Sequence, residues 1–259
     1  MTGPNAFSLA RRLRAGDTVF SAWCTLASPV VAETIAREGY GSVVIDIQHG
    51  LWDTASVFAG IAGIAHAGSA PVVRVPLGDF ALVSRVLDVG AEAVIAPMIN
   101  NPTDARQFAA AAKFPPLGER SWGPQRAMSF QGATVATDYL RDANTGTLTL
   151  AMIETATALS NVDEIAATPG IDALFVGPYD LSTALSGGRA QDVQAPEVER
   201  AIDRIGEAAA KAGKIPGIYC RDAERALAMA KRGFRFLTIG SDLGIIRDGV
   251  AAQMSALKA

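Results

Sequence analysis

The chain has 259 residues, enough for one large α/β domain and too few for two with long inserts. Hydrophobic residues make up 49% and charged residues 19%, which excludes disorder and predicts a large buried core. A net charge of −3 without a Lys/Arg-rich block argues against a nucleic-acid partner.

The opening segment, Met1 to Phe7, is followed by Arg11, Arg12 and Arg14 with no apolar stretch before them, so no secretory signal is expected. No apolar run approaches the roughly 20 residues of a membrane helix. Eight short runs rich in Val, Ile and Ala then follow: Val19–Cys24, Ser42–Ile47, Ala70–Val75, Ala93–Pro97, Leu148–Ile153, Ala173–Gly177, Ile215–Cys220 and Phe236–Gly240. They are almost wholly apolar rather than alternating, as parallel strands covered on both faces are. Helical patterns lie between them. One begins near Pro29, one follows an N-cap at Thr54 and one follows Asp79; others cover Thr103–Lys113, Thr157–Ala167, Pro196–Ala212, Asp222–Lys231 and Asp242–Ala256. Eight such pairs predict a single (β/α)8 barrel over residues 1–259. A doubly wound sheet is the runner-up, but no G-x-G-x-x-G follows the first strand. Two connections are long, Phe114–Thr147 and Ser182–Ala195; the second lies on the strand-exit side and is placed to act as a lid. Cys24 and Cys220 fall in strands and read as buried free thiols of a reducing, cytoplasmic compartment.

Reactive groups in such a barrel come from the C-terminal strand ends. In order these are Trp23 and Cys24; Asp46 with His49; Arg74; Pro97 and Met98; Glu154; Asp180; Tyr219 to Arg221; and Gly240 to Asp242. Glu154 and Asp180 could each cap the helix they precede or open. Two hard oxygen ligands at neighbouring exits instead point to a divalent-metal site. Asp46 is placed to fix the His49 imidazole as an acid–base dyad, whereas His66 ends a helix and reads as a packing residue. Arg74 is either half of an ion pair with Asp46 or Glu154, or a fixed positive charge for a developing oxyanion. The first-turn N–H groups of Tyr179 and Asp180, after Gly177 and Pro178, offer an anion site. None of the five lysines falls at a strand exit, which disfavours imine chemistry and leaves a metal as the electron sink.

The ordered set Asp46-Ile-Gln-His49-Gly, Pro71-Val-Val-Arg74, Leu87-Asp88-Val-Gly90-Ala91, Ala96-Pro97-Met98, Ile153-Glu154-Thr155 and Gly177-Pro-Tyr-Asp180-Leu-Ser182 resembles the HpcH/HpaI aldolases, from about Phe7 to the C-terminus. The resemblance implies a phosphoenolpyruvate/pyruvate-type TIM barrel and a class II pyruvate aldolase. Such an enzyme cleaves 4-hydroxy-2-oxo acids to pyruvate and an aldehyde and runs the reverse addition. It implies Glu154 and Asp180 as metal ligands, with Mg²⁺ or Mn²⁺ expected and Co²⁺ or Zn²⁺ as substitutes. It further implies Arg74 beside the pyruvyl oxygen, Asp46 and His49 as the catalytic dyad, and Trp23 and Gly177 to Asp180 around the substrate. Asp88 is implied to reach a neighbouring subunit's site, in a hexamer (a trimer of dimers) with exchanged C-terminal helices. The chain departs from the family at Met152, Gln48 and Tyr179, where glutamine, glutamate and alanine are common; the aldehyde half of the site is where these differences fall. The alternatives are an acyl-CoA ester lyase on the same barrel, drawing on Arg120, Arg126 and Arg189, and a non-catalytic barrel that binds small acids.

Overall fold

A computed structural model describes residues 7–258. Eight parallel strands close into a barrel in chain order: β1 Val19–Cys24, β2 Ser42–Asp46, β3 Ala70–Arg74, β4 Ala93–Ala96, β5 Leu148–Ile153, β6 Ala173–Val176, β7 Ile215–Cys220 and β8 Phe236–Ile239. Helices α1 Ser8–Arg14 and α2 Pro29–Arg37 flank β1; α3 Thr54–His66 follows β2 and α4 Phe80–Asp88 follows β3. Between β4 and β5 lie α5 Pro102–Ala112, α6 Gln125–Phe130 and α7 Ala136–Gly146. After β5 come α8 Ala156–Ser160 and α9 Val162–Ala167; after β6, α10 Pro178–Leu185 and α11 Pro196–Lys211; then α12 Ala223–Lys231 and α13 Asp242–Ala256. The fold is the (β/α)8 barrel that the strand count predicts.

The expected boundaries differ in ways that have local causes. Several strands stop one residue early because their next residue donates one last ladder bond and then turns away, as Ile47 does to the Arg74 carbonyl (2.9 Å) and Gly240 to that of Cys220 (2.9 Å). Asp53, not Thr54, caps α3, in a capping box with Ser56. The helix expected over Thr157–Ala167 breaks at Asn161, whose side-chain amide donates to the Asn100 carbonyl instead of continuing one cylinder. The long connection after α5 is not irregular, since it forms α6 and α7. Most of the segment after α10 is loop, as expected, but Ser182 to Leu185 belong to the helix.

Alternate strand residues divide between two cores. Val43, Ile45, Val94, Ile153 and Leu174 face outward to the helices. Trp23, Val44, Val72, Ile95, Leu150, Met152, Phe175 and Phe236 fill the barrel. Each such side chain contributes about 1.5–3 kcal/mol by leaving water. The N-terminal end is stoppered by α1, whose Leu9 and Leu13 join the inner cluster. Glu92 holds that stopper by accepting from Leu9 N–H (2.8 Å). Lys113, wholly buried, donates to the carbonyls of Asn144 (2.9 Å) and Thr147 (2.6 Å) and to Asp172 (2.6 Å). The C-terminal end of the barrel opens into a cavity. Both cysteines are buried free thiols, and burial pushes that of Cys220 up to about 12. No described helix is long and apolar enough to cross a membrane.

Candidate active site at the mouth of the barrel

The register sets the first half of the mouth. Asp46 and Arg74 are the last residues of β2 and β3 and pair directly across the sheet. Arg74 donates Nε to Asp46 Oδ1 (2.8 Å) and Nη2 to Oδ2 (2.7 Å), a bidentate pair with both side chains buried. Trp23 Nε1 donates to Oδ2 (3.2 Å), and the Arg74 guanidinium lies 4.8 Å from the Trp23 ring centre. The main-chain N–H groups of Gln48 and His49 both donate to Oδ1 (3.1 and 3.3 Å). Asp46 therefore holds Arg74 in one orientation and folds the turn that carries His49. This corrects the expected dyad: Asp46 bonds to the His49 main chain, and no bond to the imidazole is recorded among the described residues. Of the two readings of Arg74, the ion pair with Asp46 is present, while the side chain also lines the mouth.

The second half is built around Glu154, directly after β5. Its side chain is 2% exposed, and Oε1 accepts from Met98 N–H (2.8 Å). Met98 sits at φ +53°, a left-handed conformation that costs a non-glycine residue about 1 kcal/mol or more and that accompanies this bond to Glu154. Oε2 faces Gly177. A Cβ there would lie 2.4 Å from Oε2 and 2.5 Å from Met152 Cε, so any side chain would force these two ends to move. Burial pushes the Glu154 carboxyl up to about 7, and nearby Asp180 adds to the rise; the Met98 N–H and Arg74 offset part of it. Asp180 is exposed, in the first turn of α10. That turn starts at Pro178 with no side-chain cap, and among the described residues no protein acceptor is recorded for the N–H groups of Tyr179 and Asp180.

The mouth is a cavity of about 310 Å³. It brings together Trp23, His49, Arg74, Gly177, Pro178, Tyr179 and Asp180, with Asp46 and Glu154 behind its wall. No lysine lines it: Lys113 serves the opposite rim, and Lys214 donates to the Ile171 carbonyl just before β7. Asp88 is not part of it. That residue ends α4 and pairs with Arg120 Nη2 (2.6 Å), which stacks over Phe114. Arg126 lies over Phe130, and Arg189 is exposed. None of these three arginines lines the mouth, which removes support from the acyl-CoA alternative.

Two residues carry roles that the sequence did not disclose. Asp242 is fully buried and accepts from Thr25 N–H (3.0 Å), Thr25 Oγ1 (2.8 Å), Leu26 N–H (2.8 Å) and Leu243 N–H (2.9 Å). It ties the β1 exit to the β8 exit and so holds the rim closed; the acid following a strand end was its signal. Tyr219 packs edge-on to Trp23 (5.4 Å) and against Tyr179 (5.9 Å). Burial pushes its hydroxyl up to about 12, so it remains a protonated donor at neutral pH.

The HpcH/HpaI aldolase/citrate lyase family model matches residues 20–248. The chain belongs to this family. It is 37% identical over 239 residues to a hydroxypyruvate/pyruvate aldolase of Paraburkholderia phytofirmans, covering 91% of each. It is 34% identical to a 5-keto-4-deoxy-D-glucarate aldolase of Klebsiella pneumoniae subsp. pneumoniae, covering 98% of this chain and 97% of that one. A crystal structure of a family member from Burkholderia cenocepacia superposes with a TM-score of 0.88 at 34% identity, covering 97% of this chain and 99% of the other.

Proposed function

We propose that this HpcH/HpaI member is a class II aldolase that cleaves 4-hydroxy-2-oxo acids to pyruvate and an aldehyde and catalyses the reverse addition. The observation that carries this reading is Glu154. It is a buried carboxylate beside a second one, and no protein cation pairs with either among the described residues. Such a pair is stable in its charged form when a cation joins it. Their all-oxygen chemistry fits Mg²⁺ or Mn²⁺, with Co²⁺ or Zn²⁺ as substitutes. No cluster of three or more His, Cys, Asp or Glu exists among the described residues, so substrate and water would complete the coordination. The ion would supply Lewis-acid polarisation of the 2-oxo group.

The chain's own groups do the remaining work. Arg74, held by Asp46, offers its unpaired Nη1 as a fixed donor to the oxygen where negative charge develops. The Tyr179 and Asp180 N–H groups bind the pyruvyl carboxylate at the start of α10. His49, exposed on its turn, takes the proton from the C4 hydroxyl in cleavage and returns it in addition. Trp23 and Met152 wall the reacting carbons from water. Oligomerisation belongs to the same proposal: α13 buries only Asp242 and exposes Ile245, Ile246, Val250 and Met254, a face suited to a neighbouring subunit in a hexamer. In that assembly Asp88 would face a neighbour's mouth.

The test is pyruvate release from a 4-hydroxy-2-oxo acid with and without chelator. Activity is expected to vanish on chelation and return with Mg²⁺ or Mn²⁺. Chelator-resistant turnover would overturn the metal reading, and unchanged turnover in His49→Ala would remove the proton shuttle.

A further inference from the structure

Beside the mouth lies a second cavity of about 430 Å³, between the segment after α10 and the start of α12. The two cavities share Pro178, Tyr179 and Tyr219 as a common wall. That partition is side chain rather than backbone, two rings meeting at 66° with centroids 5.9 Å apart. A substrate too long for the mouth has this cavity as its adjoining space.

Both arginines of the cavity are already engaged by carboxylates. Arg221 lies on Asp222 (3.1 Å) and Arg225 on Glu199 (2.6 Å). Asp222 also caps α12 by accepting from Arg225 N–H (2.8 Å), and Asp192 accepts from Gln194 N–H (2.9 Å). With Glu224, three carboxylates line the cavity against two arginines, so an anionic tail meets net repulsion. The side-chain amides of Gln191 and Gln194 have no recorded protein partner among the described residues, and an apolar chain would strip them of water without replacement. Hydroxyl groups both donate and accept, and so satisfy amides, carboxylates and tyrosine hydroxyls together. A hydroxymethylene unit takes roughly one water's share of volume, about 30 Å³, so the cavity has room for several.

We propose that this cavity receives the tail of the aldehyde portion of the substrate, and that the tail is an uncharged, polyhydroxylated chain. The assignment rests on the aldolase reading above and adds a substrate class to it. Tyr179 and Tyr219 then form the lip over which the tail passes, with the reacting carbons on one side and the hydroxyls on the other.

The experiment measures pyruvate addition to glycolaldehyde, glyceraldehyde and erythrose, with butanal and succinic semialdehyde as apolar and anionic comparisons. Exchange of the pyruvate methyl protons with deuterium oxide, in the presence of Mn²⁺, is followed separately as a readout of the pyruvate half alone. The expected result is exchange, with kcat/KM rising about tenfold or more from glycolaldehyde to erythrose and both comparison aldehydes poor. In the double variant Gln191→Leu, Gln194→Leu, both positions being exposed, the ratio of erythrose to glycolaldehyde kcat/KM should fall about tenfold, as for one or two lost hydrogen bonds. Exchange with equal use of all aldehydes, or an unchanged ratio in the variant, would overturn the cavity assignment while leaving the aldolase. Absence of exchange would overturn the aldolase reading and the assignment with it.

Discussion

The two ends of this barrel treat buried charge in opposite ways. At the N-terminal end, Lys113 is fully enclosed and answered by Asp172 and two carbonyls, and Glu92 is answered by the main chain and side chains of α1. At the C-terminal end, Glu154 is as deeply buried, yet receives one main-chain N–H and lies near a second acid. Neither Glu92 nor Glu154 forms an ion pair among the described residues, but Glu154 has a second acid, Asp180, beside it. Arg74, the cation within reach, is instead committed to Asp46. The difference separates a staple from a site: one end is complete as a protein, and the other is completed by what it binds.

Substitutions should split the two ends cleanly. Glu154→Gln is expected to lower turnover about 10³-fold, about 4 kcal/mol of transition-state stabilisation, while leaving thermal stability unchanged or raised. Pyruvate-release kinetics beside a melting curve measures both, and a large loss of stability would break the comparison. Lys113→Met should do the converse. Removing the ammonium leaves the buried carbonyls of Asn144 and Thr147 and one oxygen of Asp172 without their donor, while Arg14 still pairs with Asp172; the loss is expected to be about 3 kcal/mol in denaturant unfolding, with turnover per folded molecule unaltered.

The pH dependence should sharpen the same contrast. The Glu154 carboxyl is raised from 4.5 to about 7, so the folded metal-free protein holds this proton more tightly than the unfolded chain. Stability from this group is present below about pH 4.5 and is lost as pH rises to about 7, by at most about 3 kcal/mol. Denaturation with excess Mn²⁺ should remove that loss, since the cation replaces the proton. A metal-free protein whose stability in Glu154→Gln follows the same pH curve as the wild type would argue that the group is not perturbed. The smallest effect is expected for Gly177→Ala, about thirtyfold in kcat or about 2 kcal/mol, because the new methyl must displace Glu154 Oε2 or Met152.

The barrel was legible because its strands are buried on both faces, which makes each an uninterrupted apolar run ending at a polar residue. That pattern located all eight exits, and with them Glu154, Arg74 and Asp180. It could not say which partner Asp46 would choose, because several polar groups share a rim and the choice follows from the β2–β3 register that sets Asp46 opposite Arg74. Nor could it place Asp242, three of whose four donors come from the sequence-distant loop after β1. The helices α6 and α7 stayed hidden in a stretch punctuated by Gly and Pro, where local signals favour loop and packing against α4 and α1 decides. The pairing of the Tyr179 and Tyr219 rings belongs to the same class, a contact between exits far apart in the sequence.

The most direct measurement is Mn²⁺ binding to the purified protein, followed by electron paramagnetic resonance at pH 8 and pH 6, in the wild type and in Glu154→Ala and Asp180→Ala. The account predicts one tight site per chain that weakens at pH 6 and is lost in either variant. Wild-type affinity in both variants would contradict it.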